Sequence, residues 1–183
     1  MLHFMIDLET LGTQPGSVIL SIGAVRFDPT QPLDNCLENT FYCVVGRANS
    51  EGWGLTVDQG TVDWWGKQST EARKVLADAE DPERYDLLPD SLQMLKEFLG
   101  EGAVVWSNGA NFDQPLLDVA YNRVDIALPW KYWNSRCYRT IKAICPDAKN
   151  LEPAKVCAHN ALEDAKWQAL HLVAMAQNLK IKL

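Results

Sequence analysis

The stretch FMIDLETLGT, residues 4–13, decides the fold. Three apolar residues, Phe4, Met5 and Ile6, run directly into two acids, Asp7 and Glu9, with Leu8 between them. The apolar run reads as a strand, and residues two apart on a strand point to the same face. Asp7 and Glu9 therefore project together at the C-terminal end of that strand. This is the edge of an α/β sheet at which ligands bind. Taken alone, the pair also fits a solvated strand end, so its meaning depends on what the rest of the chain brings beside it.

Outward from this strand the β pattern continues. SVILSIGAVRFD (17–28) is a second run rich in β-branched residues and NTFYCVV (39–45) a third. The links TLGTQPGS and PTQPLDN are turn-forming. Three strands with short links predict an antiparallel meander. The remainder is helix-rich. Helices are expected over 56–69, with Thr56 or Asp58 as cap, over 89–100, with a Pro-Asp-Ser start and a Gly stop, over 112–124, and over 160–180. AVVWSNG (103–109) is a fourth strand and PWKYWNSRCY (129–138) a fifth. The acidic stretch 77–90 reads as a solvated loop, and 146–161, with two prolines and little periodicity, as another. The fold class is thus α/β, a mixed five-stranded sheet flanked by helices, in one domain over 1–183. A chain of 183 residues is long enough for one sizeable core.

Composition limits the function classes. Five cysteines without CxxC spacing read as reduced thiols of a cytoplasmic protein, not as a disulfide or zinc framework. Neither a secretory leader nor an apolar run of membrane-crossing length is evident, so no membrane partner is expected. A net charge of −7 argues against a passive nucleic-acid binder, which is normally basic. An acidic chain still binds phosphate when its acids hold metal cations.

Two further acids give the pair its meaning. Asp113, in VVWSNGANFDQPLL, lies just past the fourth strand and opens a helix. Asp164, in AHNALEDAKW, lies in the first turns of the last helix, five residues after His159. Each acid follows an apolar strand or opens a helix, so all four are available at one sheet edge. Four clustered carboxylates raise one another's pKa. Hard divalent cations remove that repulsion, and carboxylate oxygens suit Mg²⁺ or Mn²⁺. Two such ions form the clamp that cleaves phosphodiesters by in-line displacement. A base must take the proton of the attacking water, and histidine suits that near neutral pH. Of the three histidines, His159 is the one so placed. His3 precedes the first strand, and His171 lies mid-helix on an apolar stretch, where a core histidine is expected.

DLET (7–10), NFD (111–113) and HNALEDA (159–165) together resemble the three exonuclease motifs of the DEDD exonuclease superfamily. A histidine five residues before the last aspartate is similar to the histidine subgroup, DEDDh. Compact bacterial and phage exoribonucleases and the exodeoxyribonuclease VIII-like group are similar over almost the whole length, Phe4 to Ala165. This resemblance implies a ribonuclease H-like fold, two Mg²⁺ or Mn²⁺ ions on Asp7, Glu9, Asp113 and Asp164, and His159 as general base. The implied reaction is 3′–5′ hydrolysis of single-stranded RNA or DNA from its 3′ end, releasing 5′-mononucleotides. It further implies that Thr10 and Leu11 meet the terminal sugar and base, and that Asn108 and Asn111 position phosphate or sugar. Of the adjacent pair Trp64 and Trp65, one is core and the other faces the cleft to stack on a base; Trp65 is assigned to the cleft. Several relatives are dimers, which makes a homodimer an expectation. An endonuclease on the same fold and a catalytically silent binding module are the competing readings.

Overall fold

The computed structural model describes residues 2–154 and 159–183. Five strands form one mixed sheet: β1 (His3–Thr10), β2 (Ile19–Phe27), β3 (Leu37–Val44), β4 (Val104–Ser107) and β5 (Ser135–Cys137). Their spatial order is β3-β2-β1-β4-β5. The meander β1-β2-β3 is antiparallel, whereas β4 lies parallel to β1 and β5 parallel to β4. The C-terminal ends of β1, β4 and β5 therefore lie at one edge.

Seven helices are described: α1 (Arg47–Gly52), α2 (Gln59–Trp65), α3 (Thr70–Asp78), α4 (Leu88–Leu99), α5 (Asp113–Arg123), α6 (Tyr138–Ile144) and α7 (Ala161–Leu179). Alternation along β1 divides the core. Phe4, Ile6 and Leu8 pack with Trp65, Val75, Leu92, Leu95, Leu116 and Tyr121 from α2 to α5. Met5 faces the other way, onto Tyr138 of α6 and Ala165, Ala169 and Leu172 of α7. Asp7 and Glu9 share the parity of Met5, so β1 aims them at the α7 side.

The fifth strand is shorter than the 129–138 run suggests. Residues Tyr132–Asn134 form a 3-10 turn, and Tyr138 already begins α6. The helix expected over 56–69 closes at Trp65, with Asp58 rather than Thr56 as its cap. The stretch 77–90 is only partly loop, because α3 runs to Asp78 and α4 starts at Leu88. The unassigned stretches before and after the helix expected over 56–69 hold α1 and α3. The Ser69 hydroxyl accepts the Ala72 N–H at the start of α3, a cap of the type that Ser provides. The loop expected over 146–161 contains a 3-10 turn at Ala148–Leu151, and its residues 155–158 lie outside the described residues. Cys36, Cys43, Cys137 and Cys145 are free thiols, and Cys157 is among the residues not described. Among the described residues no helix is long and apolar enough to cross a membrane.

One close approach sets the position of α7. A Cβ added at Gly23 would lie 2.2 Å from the carbonyl carbon of Ala161 and 2.2 Å from the Leu162 nitrogen. Gly23 pairs with Asp7 across the β1-β2 ladder. The first turn of α7 thus rests on bare strand backbone directly beside Asp7. Small residues at Ala161, Ala165 and Ala169, all fully buried, continue that close packing along the helix. Gly23→Ala is expected to destabilise the protein by about 1–3 kcal/mol, the usual size of an overpacking penalty. Gly52→Ala, where the added methyl meets open space, should be neutral or stabilising by up to ~1 kcal/mol. Urea unfolding of both variants checks the pair.

Candidate active site

The site is built at the edge where β1 ends. A bulge between Glu9 and Thr10 breaks the β1-β2 register and re-aims the chain there. Glu9 is buried. Asp113 arrives from β4 through a turn in which Gly109 takes φ +112, a left-handed conformation that favours glycine. Gln114, the next residue, pins the start of α5: its Nε2 donates to Ser107 Oγ at 3.0 Å and to the Arg136 carbonyl at 3.0 Å. Asp113, 2% exposed, is thereby fixed under the sheet edge. Asp164 comes from the first turn of α7, which Asn160 caps by accepting the Glu163 N–H at 3.1 Å.

These acids are brought together. A carboxylate oxygen of Glu9, a carboxylate oxygen of Asp164 and a ring nitrogen of His159 lie within 4.8 Å of one another. Burial holds the Asp7 carboxyl well above the usual carboxylate range, and the charges of Asp113 and Glu9 add to it. Gln168 opposes that shift by donating Nε2–H to Asp7 Oδ1 at 2.7 Å. Burial likewise pushes Asp113 up to about 7, although the backbone N–H groups of Asp113 and Leu8 and the Arg139 guanidinium favour its charged form. One oxygen of Asp113, Oδ2, is buried without a hydrogen-bond partner among the described residues. An unpartnered hard oxygen among carboxyls that resist ionisation is a donor set suited to a divalent cation.

His159 stands at φ +61, a strained setting for a non-glycine residue. Its backbone N–H donates to Asp164 Oδ2 at 2.9 Å. The other two histidines are core residues. His171 is fully buried; its Nε2–H donates to the Ala148 carbonyl at 2.8 Å, so its Nδ1 accepts from the Tyr138 hydroxyl at 2.7 Å. Burial lowers its pKa. His3 lies within β1 and accepts the Trp106 indole N–H at 3.1 Å.

Beside Glu9 opens a cleft of about 450 Å³, lined by Thr10, Thr13, Asp58, Trp64 and Phe112 among others. The expected binding residues divide here. Thr10 reaches the cleft, with its hydroxyl turned onto the Gly12 carbonyl. Leu11, expected against the terminal base, is 1% exposed and packs in the core instead. Both tryptophans of the pair line the cleft. Trp65 is 1% exposed and donates its indole N–H to the Thr10 carbonyl at 2.9 Å. Trp64, 41% exposed, is the surface member. Adjacent helical residues diverge by about 100°, and only tertiary packing chooses which one turns inward. Asn108 is held by Arg139, whose Nη2 donates to its carbonyl at 2.9 Å, and Asn111 is exposed. Gln168 and Gly23 are missing from the sequence-derived site. The signal for Gln168 was present, since it lies four residues after Asp164 on the same helix face.

The family model of the 3′-5′ exoribonuclease Rv2179c-like domain matches residues 2–176. The chain belongs to this exonuclease family. It is 28% identical over 199 aligned residues to the exodeoxyribonuclease of Enterobacteria phage T4, spanning 90% of this chain and 84% of that protein. Two solved structures share the fold. The nuclease domain of 3′hExo, a DEDDh family member bound to rAMP, gives a TM-score of 0.60 at 15% identity, covering 97% of this chain and 92% of that one. Cell-death related nuclease 4 gives 0.59 at 13% identity, covering 97% and 64%. The chain is therefore a 3′–5′ exonuclease, a hydrolase acting on nucleic acid, on the ribonuclease H-like fold expected from DLET, NFD and HNALEDA.

For this exonuclease the raised carboxyls have a consequence for stability. Asp7 and Asp113 bind protons more tightly folded than unfolded. That contribution is full below the unfolded carboxylate pKa of about 4 and is lost as pH rises toward about 7, where Asp113 ionises. With EDTA present, urea midpoints should fall between pH 5 and pH 8, and Asp113→Asn should flatten that fall. Mg²⁺ or Mn²⁺ should restore stability at pH 8 and have little effect at pH 5.

Proposed function

We propose that this exonuclease releases 5′-mononucleotides from the 3′ end of single-stranded nucleic acid, using two divalent cations, Mg²⁺ or Mn²⁺, and His159 as general base. Asp7, Glu9, Asp113 and Asp164 would hold the cations. The observation that supports this reading most is the meeting of Glu9, Asp164 and His159 within 4.8 Å, beside two carboxyls whose pKa burial raises. When bound, such cations supply positive charge to the scissile phosphate and lower the pKa of a water. The chain's own residues do the rest. His159 takes the proton of the attacking water. Asp164 orients His159 through its backbone N–H, and Gln168 orients Asp7. Glu9 accepts a hydrogen bond from the terminal 3′-hydroxyl. The cleft of about 450 Å³ falls within the size range of small-ligand sites and suits one nucleotide.

The family description names RNA and the phage relative's name DNA, so both sugars enter the assay. End-labelled RNA and DNA strands with Mg²⁺ should each be tested for stepwise loss of 3′-terminal nucleotides. Asp7→Ala and Asp113→Ala should leave the protein folded and below a few percent of native activity. A 3′-terminal phosphate should block the reaction, because it removes the hydroxyl that Glu9 accepts from. Rapid cutting of a circular single strand would overturn the reading.

His159→Ala should lower turnover by roughly 10²–10⁴-fold, the usual size of a general-base contribution. Its cation affinity, followed by calorimetry, should change little. Loss of cation binding in this variant would make His159 a ligand and move the base elsewhere.

A further inference from the structure

The His159 ring packs against two residues that line the cleft. It lies 5.0 Å from that of Trp64, nearly perpendicular at 89°, and 6.2 Å from that of Trp65 at 74°. The two indoles are themselves perpendicular, 5.2 Å apart at 77°. The imidazole thus rests against a corner made by adjacent residues of α2. That corner is anchored to the strand that carries Asp7 and Glu9. Trp65 donates to the Thr10 carbonyl at 2.9 Å, and the Asp58 N–H, at the head of α2, donates to the Leu11 carbonyl at 2.7 Å. Asp58 then caps the helix by accepting the Thr61 N–H at 2.7 Å.

Two restraints therefore meet on His159. Asp164 holds its backbone, and the indoles confine its ring. The backbone restraint leaves the side-chain torsions open. A general base is useful only while one ring nitrogen points at the water. Edge-to-face aromatic contacts favour one ring orientation by an amount that corresponds to roughly 2- to 10-fold in population.

We propose that Trp64 is a positioning residue for this exonuclease: its indole holds the His159 ring in the orientation from which it takes the proton of the attacking water. The inference rests on His159 being the general base. It departs from the base-stacking role expected for the cleft-facing tryptophan, because the indole is already in contact with the imidazole.

The test compares Trp64→Ala and Trp64→Phe in the native and His159→Ala backgrounds, using end-labelled oligonucleotides with Mg²⁺. Trp64→Ala should lower kcat by roughly 3- to 10-fold with KM little changed, and Trp64→Phe should recover most of the loss. In the His159→Ala background, Trp64→Ala should have no further effect. A second readout needs neither cation nor substrate. The chain has three histidines, so the His159 ring-proton resonances are assignable by their loss in His159→Ala. In metal-free Trp64→Ala they should move away from their ring-current-shifted positions. A rise in KM with kcat unchanged would make Trp64 a base-stacking platform and overturn the proposal. So would an equal loss of kcat in both backgrounds, or unmoved His159 resonances. If His159→Ala itself keeps native turnover, it is the general-base reading that fails, and the positioning role falls with it.

Discussion

Two carboxyl groups, Asp7 and Asp113, are held largely out of water and within each other's field. That is an unfavourable arrangement, and most of the architecture around the sheet edge serves to maintain it. Desolvation disfavours the charged form of each, and the neighbouring Glu9 adds to the difficulty for Asp7. The fold offers partial relief, through the Gln168 amide on Asp7 and through the Leu8 backbone and Arg139 on Asp113. The relief is incomplete, since one Asp113 oxygen has no partner among the described residues. A folded protein keeps an unsatisfied acid of this kind where the acid has work outside the fold, and positive charge is what the arrangement lacks.

The acids come from three separate parts of the chain, so the sheet and α7 must bring them to one point. Parallel pairing of β1 with β4 delivers Asp113 to the edge at which β1 releases Asp7 and Glu9. The last acid depends on contact distance. With no side chain at Gly23, α7 settles onto the backbone of β2 opposite Asp7. One turn further on, Asp164 faces the site, and Gln168 on the following turn reaches Asp7. A single face of one helix thus contributes both an acid and the amide that steadies its neighbour.

The other side of the cleft is aromatic. Asp58 and Trp65 fasten α2 to the carbonyls of Leu11 and Thr10, immediately after the acidic strand. The consequence is a rigid apolar wall beside a highly polar centre. Trp64, Trp65 and Phe112 line the same cleft as Glu9.

Much of this was legible in the sequence, because it rests on short-range periodicity. The alternation in FMIDLET put Asp7 and Glu9 on one strand face. The placement of Asp113 and Asp164 at helix starts, with His159 five residues upstream, identified the rest of the acidic set. The meander, the mixed sheet and the core roles of His171 and of one tryptophan of the pair followed from the same local rules. Other features depend on which surfaces meet. Trp64 and Trp65 are chemically identical neighbours, and only the docking of α2 onto the end of β1 buried Trp65 and left Trp64 exposed. Leu11 entered the core because its carbonyl and side chain belong to that same junction. Gly23 in a strand signals a close approach without naming the partner, which is α7, more than 130 residues away in the chain. Local pattern thus determined which acids reach one sheet edge. Tertiary packing decided which of them touch, because contact distance depends on the volume of side chains remote in sequence.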